Sequence, residues 1–120
     1  MKQNPRELGE MELKFAELIW QHAPIPSGEL VKLCERELDW KKSTTYTMLR
    51  RLIDCGIFEN TDSTVRVVIT REQFDAERCE RFVSRNFGGS LPAFLAAFTS
   101  QKKLSESEIA ELVEIIERKK

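Results

Sequence analysis

The sequence predicts a mainly α-helical fold with one small β-hairpin, and two changes of pattern along the chain carry this prediction. From Gly9 to Cys55, three stretches place apolar residues at helical spacing. Short stretches rich in β-branched residues then flank a turn, and helical spacing returns at Arg71. Three helices followed by a hairpin make a winged helix-turn-helix. We assign it to residues 1–70 and a helical dimerisation region to residues 71–120.

The first helix is predicted from the stretch GEMELKFAELIWQHA. Its expected buried face carries Met11, Phe15, Leu18, Ile19 and His22. Pro24 and Pro26 should end this helix and impose a short extended link, because proline cannot continue a helix. Ser27 is the expected N-cap of the second helix. The buried face of that helix is predicted to carry Leu30, Val31, Cys34 and Leu38.

The third helix is predicted to begin near Lys42 and to run to Cys55, with Ser43 or Thr44 as its cap. Its expected buried stripe consists of Thr45, Met48, Leu49, Leu52 and Ile53. Gly56 follows where a helix end needs a left-handed residue. Ile57-Phe58 and VRVVIT are then the two predicted strands, joined by a turn over residues 61–64.

Three amphipathic helices are predicted after Arg71, the second capped by Ser90 and the third opened by a capping box at Ser105. So short a region cannot bury its apolar stripes well alone, which favours burial shared between two chains over an intrachain core. The predicted dimer interface consists of Phe82, Phe87, Leu91, Phe94, Leu95, Phe98, Ile109, Leu112, Val113 and Ile116.

Composition argues against several function classes. The chain has 120 residues and a net charge of -1, without an acid–base or nucleophile constellation typical of an enzyme. Three widely spaced cysteines and one histidine predict no disulfide framework, no metal site and no cofactor, so the cysteines are read as core or boundary filler. No stretch is long and apolar enough to span a membrane, and we expect a cytoplasmic protein without membrane insertion.

The segment WKKSTTYTMLRRL, residues 40–52, carries the functional prediction. It contains four cations and several hydroxyls, and no acid lies between Asp39 and Asp54. Such a helix can neutralise phosphates and read base edges, whereas the alternative is a solvated surface on which cations happen to cluster. The order of elements favours double-stranded DNA. The predicted contacts of this segment are Lys41, Lys42, Ser43, Thr44, Tyr46, Thr47, Arg50 and Arg51.

The chain also resembles the penicillinase repressor family along nearly its whole length. The resemblance rests on ELIW at 17–20, Trp40, T-x-Y-T-M-L-x-R-L at 44–52, Gly56, FGGS at 87–90 and LSESEIAELVEIIE at 104–117. It implies a homodimeric winged-helix repressor with a C-terminal dimerisation region. For family members that respond to β-lactams, the resemblance further implies a membrane sensor whose signal leads to cleavage of the repressor within that region.

Three departures from the family pattern qualify this reading. The wing lacks the usual Gly-Arg pair, and Arg66, its expected DNA contact, is displaced by two positions. The C-terminal cysteine hook of copper-responsive members is absent. The bond cleaved in the β-lactam branch joins Asn to Phe, whereas Ala97 and Phe98 stand at the matching positions. A winged-helix protein–protein adaptor without DNA binding is therefore the alternative function.

Overall fold

The computed structural model describes residues 6–120, and within them the chain forms six helices and a three-stranded sheet. The elements are α1 (Glu10–His22), β1 (Ile25–Pro26), α2 (Ser27–Leu38), α3 (Lys42–Asp54), β2 (Phe58–Thr61), β3 (Thr64–Val67), α4 (Arg71–Phe87), α5 (Leu91–Gln101) and α6 (Glu106–Arg118). The predicted mainly α fold with a winged helix-turn-helix is confirmed. The chain divides into two compact units, the first ending at Arg78 and the second beginning at Cys79. The predicted functional division at residue 70 stays a prediction.

The core of the first unit combines one face of each of α1, α2 and α3 with the sheet. Its fully buried large side chains are Phe15, Phe58, Phe74, Ile19, Leu30, Leu49, Leu52, Ile57 and Val65. Two predicted positions on α1, Met11 and His22, are exposed instead. On α2 the prediction missed Leu33, which is buried, and chose Val31, which is only half-buried. Val31 lies about 100° from Leu30 around the helix, so it leaves the face shared with Leu33.

The sheet has a third strand that the sequence did not predict. β1 pairs antiparallel with β3, placing Ile25 opposite Val65, and the strand order is β1-β3-β2. The two prolines around Ile25 suggested only an extended link. Proline is tolerated in such a short edge strand because one side of that strand needs no donors.

The predicted turn over residues 61–64 is present, but the strands beside it differ from the predicted ones: β2 extends to Thr61, and β3 ends at Val67, so the last three residues of VRVVIT lie outside it. Asp62 and Ser63 have φ of 53° and 57°, the left-handed conformation that a tight hairpin turn of the type I′ class requires. The hairpin is held at its base by the Ile57 carbonyl, which accepts hydrogen bonds from the N–H groups of Val68 (2.9 Å) and Ile69 (3.2 Å).

The beginning of α4 packs within the first unit. Phe74 is buried, and its ring lies 5.4 Å from that of Trp20, which is equally close to the ring of Phe58. The Trp20 indole N–H donates to the Ile69 carbonyl at 3.1 Å. Arg71 forms an ion pair with Glu17 at 2.9 Å. The winged helix therefore includes the first two turns of α4.

Helix caps agree with the prediction in the second unit and differ at α2. The Ser90 hydroxyl accepts from the Ala93 N–H at 3.0 Å, and the capping box joins Ser105 to Glu108. Ser27 was expected to cap α2, but Pro26 takes that position and Ser27 is the first helical residue, with its side chain buried. The fixed φ of proline suits the helix boundary, which frees the Ser27 hydroxyl for another partner.

The cysteine thiols divide into two kinds. Burial raises the pKa of Cys34 and of Cys55, so both remain protonated at neutral pH and fill apolar space. Cys79 is exposed on α4, in contrast to the predicted filler role.

Candidate nucleic-acid interface

A short turn sets α3 against α2. Asp39 ends α2 with φ of 56°, a left-handed conformation that Asp tolerates better than most residues. Trp40 follows and packs against Phe15 of α1, with tilted rings whose centroids are 5.1 Å apart. The Cys34 carbonyl accepts from the N–H groups of both Asp39 and Trp40. The two helices thereby form a helix-turn-helix pair whose second helix begins at Lys42.

One face of α3 is buried and the rest is exposed. Thr45, Leu49 and Leu52 are buried, as predicted, while Met48 and Ile53 are half-buried. The Thr45 hydroxyl has no hydrogen-bond partner among the residues that the structure describes. Every predicted DNA contact is exposed. These residues are Lys41, Lys42, Ser43, Thr44, Tyr46, Thr47, Arg50, Arg51 and, on β3, Arg66.

The start of α3 is not capped by a side chain. Ser43 or Thr44 was expected to cap it, but the N-cap is Lys41, whose side chain makes no capping hydrogen bond. Ser43 and Thr44 instead lie within the first turn, with exposed side chains. The prediction failed because a hydroxyl can cap a helix only from the position before its first turn. The hydroxyls and the first-turn N–H groups therefore share one surface.

Arg51 is tied to the first helix. Its Nε donates to Oε2 of Glu12, and the same carboxylate accepts the Gly9 N–H through Oε1 at 2.8 Å. Burial raises the pKa of Glu12, but the bonds from Gly9 and Arg51 outweigh it and hold that pKa below its usual value. The carboxylate in turn raises the pKa of Arg51. The Arg51 side chain remains 49% exposed.

Tyr46 lies at the edge of a groove between α3 and β2. Its hydroxyl donates to Oγ of Ser27 at 3.3 Å, which links α3 to the start of α2. The groove has a volume of about 520 Å³. It is lined by Tyr46, Thr47, Leu49, Arg50, Ile53, Asp54 and Asn60. Asn60 was missed from the sequence because only the packing of β2 against α3 brings it to this groove.

The two strands of the wing carry one cation, Arg66. Arg66 lies directly opposite Glu59 on the neighbouring strand, and Asp62 occupies the turn. An acid therefore stands opposite Arg66 in the sheet, whereas α3 carries no acid before its last residue, Asp54.

The second unit contains a cluster of aromatic rings on α4 and α5. Phe94 lies 6.1 Å from Phe82, 5.6 Å from Phe87 and 6.0 Å from Phe98, between ring centroids. No residue from 79 to 120 is buried. Six of the ten predicted interface residues are exposed, namely Phe82, Leu91, Phe98, Ile109, Val113 and Ile116, and Phe87, Phe94, Leu95 and Leu112 are half-buried. Ile115 of α6, which was not predicted, is also exposed.

Other kinds of site find no support in residues 6–120. No group of three or more His, Cys, Asp or Glu side chains is arranged to hold a metal ion there. In the same part of the chain, no helix combines the length and the hydropathy needed to cross a membrane.

Comparison with known proteins identifies relatives along the full chain. The model of a family described as Penicillinase repressor matches residues 8–118. The Penicillinase repressor of Bacillus licheniformis is 30% identical over 125 residues, which cover 100% of this chain and 96% of the relative. An uncharacterised 16.5 kDa protein of Latilactobacillus sakei is 25% identical, with 99% and 84% covered. The methicillin resistance regulatory protein MecI of Staphylococcus aureus strain Mu50 is 20% identical, with 94% and 95% covered.

Proposed function

The chain belongs to the penicillinase repressor family, and we propose that it represses transcription by binding operator DNA as a homodimer through α3. Two of the three relatives are named as a repressor and a regulatory protein, which also supports a regulatory protein over an enzyme. The observation that carries the DNA-binding proposal is the outer face of α3, where exposed cations and hydroxyls stand without an acid from Trp40 to Ile53. We assign the protein to the cytoplasm, where it would meet its DNA.

Phosphate contacts are assigned to the cations of this face. Lys41, Lys42 and Arg50 would neutralise phosphates and release the counterions that surround DNA. Arg51 would contribute less to this field, because its charge is balanced by Glu12. Ser43 and Thr44 add small hydroxyls that permit close approach to the backbone, so these contacts would orient α3 on the duplex.

Base contacts are assigned to Tyr46 and Thr47. Both are exposed within the first two turns of α3, the part of such a helix that enters the major groove in helix-turn-helix proteins. The wing would add little, because Arg66 faces Glu59 across the hairpin.

Dimerisation is assigned to the second unit. The absence of any buried residue from 79 to 120 supports a second chain as the partner of its apolar face. Two linked copies would also raise the affinity for an operator with two half-sites, because the second copy binds at a high effective concentration.

Release by proteolysis is a further part of the proposal. The bond from Ala97 to Phe98 lies inside α5, and both side chains are exposed. Cleavage there would separate α6 from α4 and remove part of the proposed interface. A membrane sensor-protease is the proposed source of the signal.

The adaptor function remains the second candidate, and the wing favours it, because its acids, Glu59 and Asp62, outnumber its one cation, Arg66. An isotopically labelled sample titrated with a duplex of the upstream region of its own gene separates the two functions. We expect the amide resonances of residues 41–51 to shift most, while those of α6 remain unchanged. Shifts confined to other surfaces, or no shifts at low salt, would reject DNA binding through α3.

A further inference from the structure

The start of α3 carries a small depression that adjoins the groove beside β2, and Thr47 lines both. It has a volume of about 190 Å³ and is lined by Ser43, Thr44, Thr47 and Met48. Ser43, Thr44 and Thr47 are exposed, whereas Met48 is half-buried. Positions 44, 47 and 48 share one side of the helix because residues three and four apart are neighbours on its surface.

The depression differs chemically from the rest of this face. Three of its four side chains carry a methyl group, while the surrounding outer surface of α3 presents cations. Among the four base pairs, only those with thymine present a methyl group in the major groove. The neighbouring Lys41, Lys42 and Arg50 are all exposed and would hold the polyanion against this part of the helix.

We infer that Thr44, Thr47 and Met48 form a seat for the 5-methyl group of one thymine in each half-site. This inference rests on the proposed function and makes it more specific, because it names the base feature that is read. It also gives Met48 a role in base specificity. Packing against the core would not by itself require part of this side chain to be exposed.

Uracil substitution tests this assignment directly. An operator is first selected from a randomised duplex pool with the full-length chain, and each thymine is then replaced in turn by deoxyuridine, which lacks only the methyl group. We expect one thymine per half-site to respond with a loss of affinity of about four-fold. That factor corresponds to about 0.8 kcal/mol for one buried methyl group.

Thr47→Ser supplies the matching change in the protein, because it removes the side-chain methyl and keeps the hydroxyl. In this variant the four-fold preference for thymine over uracil should fall to less than about two-fold at the same position. Thr44→Ser should act in the same direction. Thr70→Ser, an exposed site outside α3, is the control and should retain the full preference.

The outcomes separate the inference from the function on which it rests. If no duplex is selected or bound at low salt, the proposed DNA binding fails. If DNA is bound but uracil equals thymine at every position, or the half-site contains no thymine, the seat is rejected while DNA binding stands. A thymine preference that survives both Thr→Ser changes would also reject it.

Discussion

Arg51 of α3 and Glu12 of α1 form an ion pair that links the proposed DNA-binding helix to the first helix of the fold. Glu12 also accepts the Gly9 N–H, so one carboxylate both caps α1 and holds α3. Only 17% of the Glu12 side chain is exposed. The pair therefore belongs to the packing of the winged helix as well as to its surface charge.

The lowered pKa of Glu12 predicts how stability depends on pH. A carboxyl whose pKa is lower in the folded than in the unfolded state contributes stability above the unfolded value and loses it as pH falls through the folded value. Glu12→Gln keeps an acceptor for Gly9 but removes the charge. We expect it to be less stable than the unchanged chain in urea at pH 7, with a difference that shrinks below about pH 4.5. Glu10→Gln is the exposed control on α1, and a difference that stayed constant with pH would contradict the ion-pair account.

Lys42→Ala should weaken binding to all duplexes alike. Loss of one phosphate contact reduces the slope of log affinity against log salt by about 0.9. Binding titrations at several salt concentrations measure this slope, with Lys14→Ala on α1 as an exposed control. Equal slopes for Lys42→Ala and Lys14→Ala would remove Lys42 from the interface.

Tyr46 allows base reading to be separated from helix positioning. Tyr46→Ala should cost about 1–3 kcal/mol on the selected operator and less on random DNA, if the side chain reads a base. Tyr46→Phe removes only the hydroxyl that donates to Ser27. If Tyr46→Phe and Ser27→Ala reduce the affinity for DNA by the same factor, the Tyr46 hydroxyl acts by holding α3 against α2. If Tyr46→Ala lost the same affinity for the operator and for random DNA, the ring would contact the DNA backbone and would not read a base.

Phe98→Asp tests the dimer. Phe98 is 47% exposed in the single chain, so the change should spare the fold of each chain but place a charge in the proposed interface. We expect sedimentation to show a monomer at micromolar concentration, with much weaker operator binding. Ala96→Asp, an exposed position about 200° away around α5, is the control and should remain dimeric. A monomeric unchanged chain would contradict dimerisation.

Regular features of the fold could be predicted from the sequence because they have local causes. Helical spacing identified all six helices, and the capping serines at residues 90 and 105 marked the starts of two of them. β1 could not be predicted, since its two residues form a strand only by pairing with β3. Burial of Phe74 likewise depends on Trp20, which is distant in sequence.

The candidate site also combines features with local causes, which the sequence predicts, and contacts between residues that are distant in sequence, which it does not. The exposure of the cations on α3 could be predicted from the spacing of its buried stripe, because residues that do not lie on the buried face of a helix lie on its outer face. The partner of Arg51 could not be found in this way. Asp54, one turn away, is the acid nearest to Arg51 in the sequence, whereas Glu12 is distant in sequence and approaches only when α1 packs on α3. The depression that Met48 helps to line could not be predicted either. In a periodic pattern, a half-buried residue cannot be distinguished from a core residue.

Operator binding through α3 is tested by the affinity of the 120-residue chain for its selected operator at rising salt concentration. We expect affinity to fall about a thousand-fold or more between about 50 and 200 mM salt, as it does for proteins that make about six or more phosphate contacts. The complex should contain two chains per operator. Absence of duplex binding at the lowest salt, by a folded chain, would contradict the account and favour the adaptor.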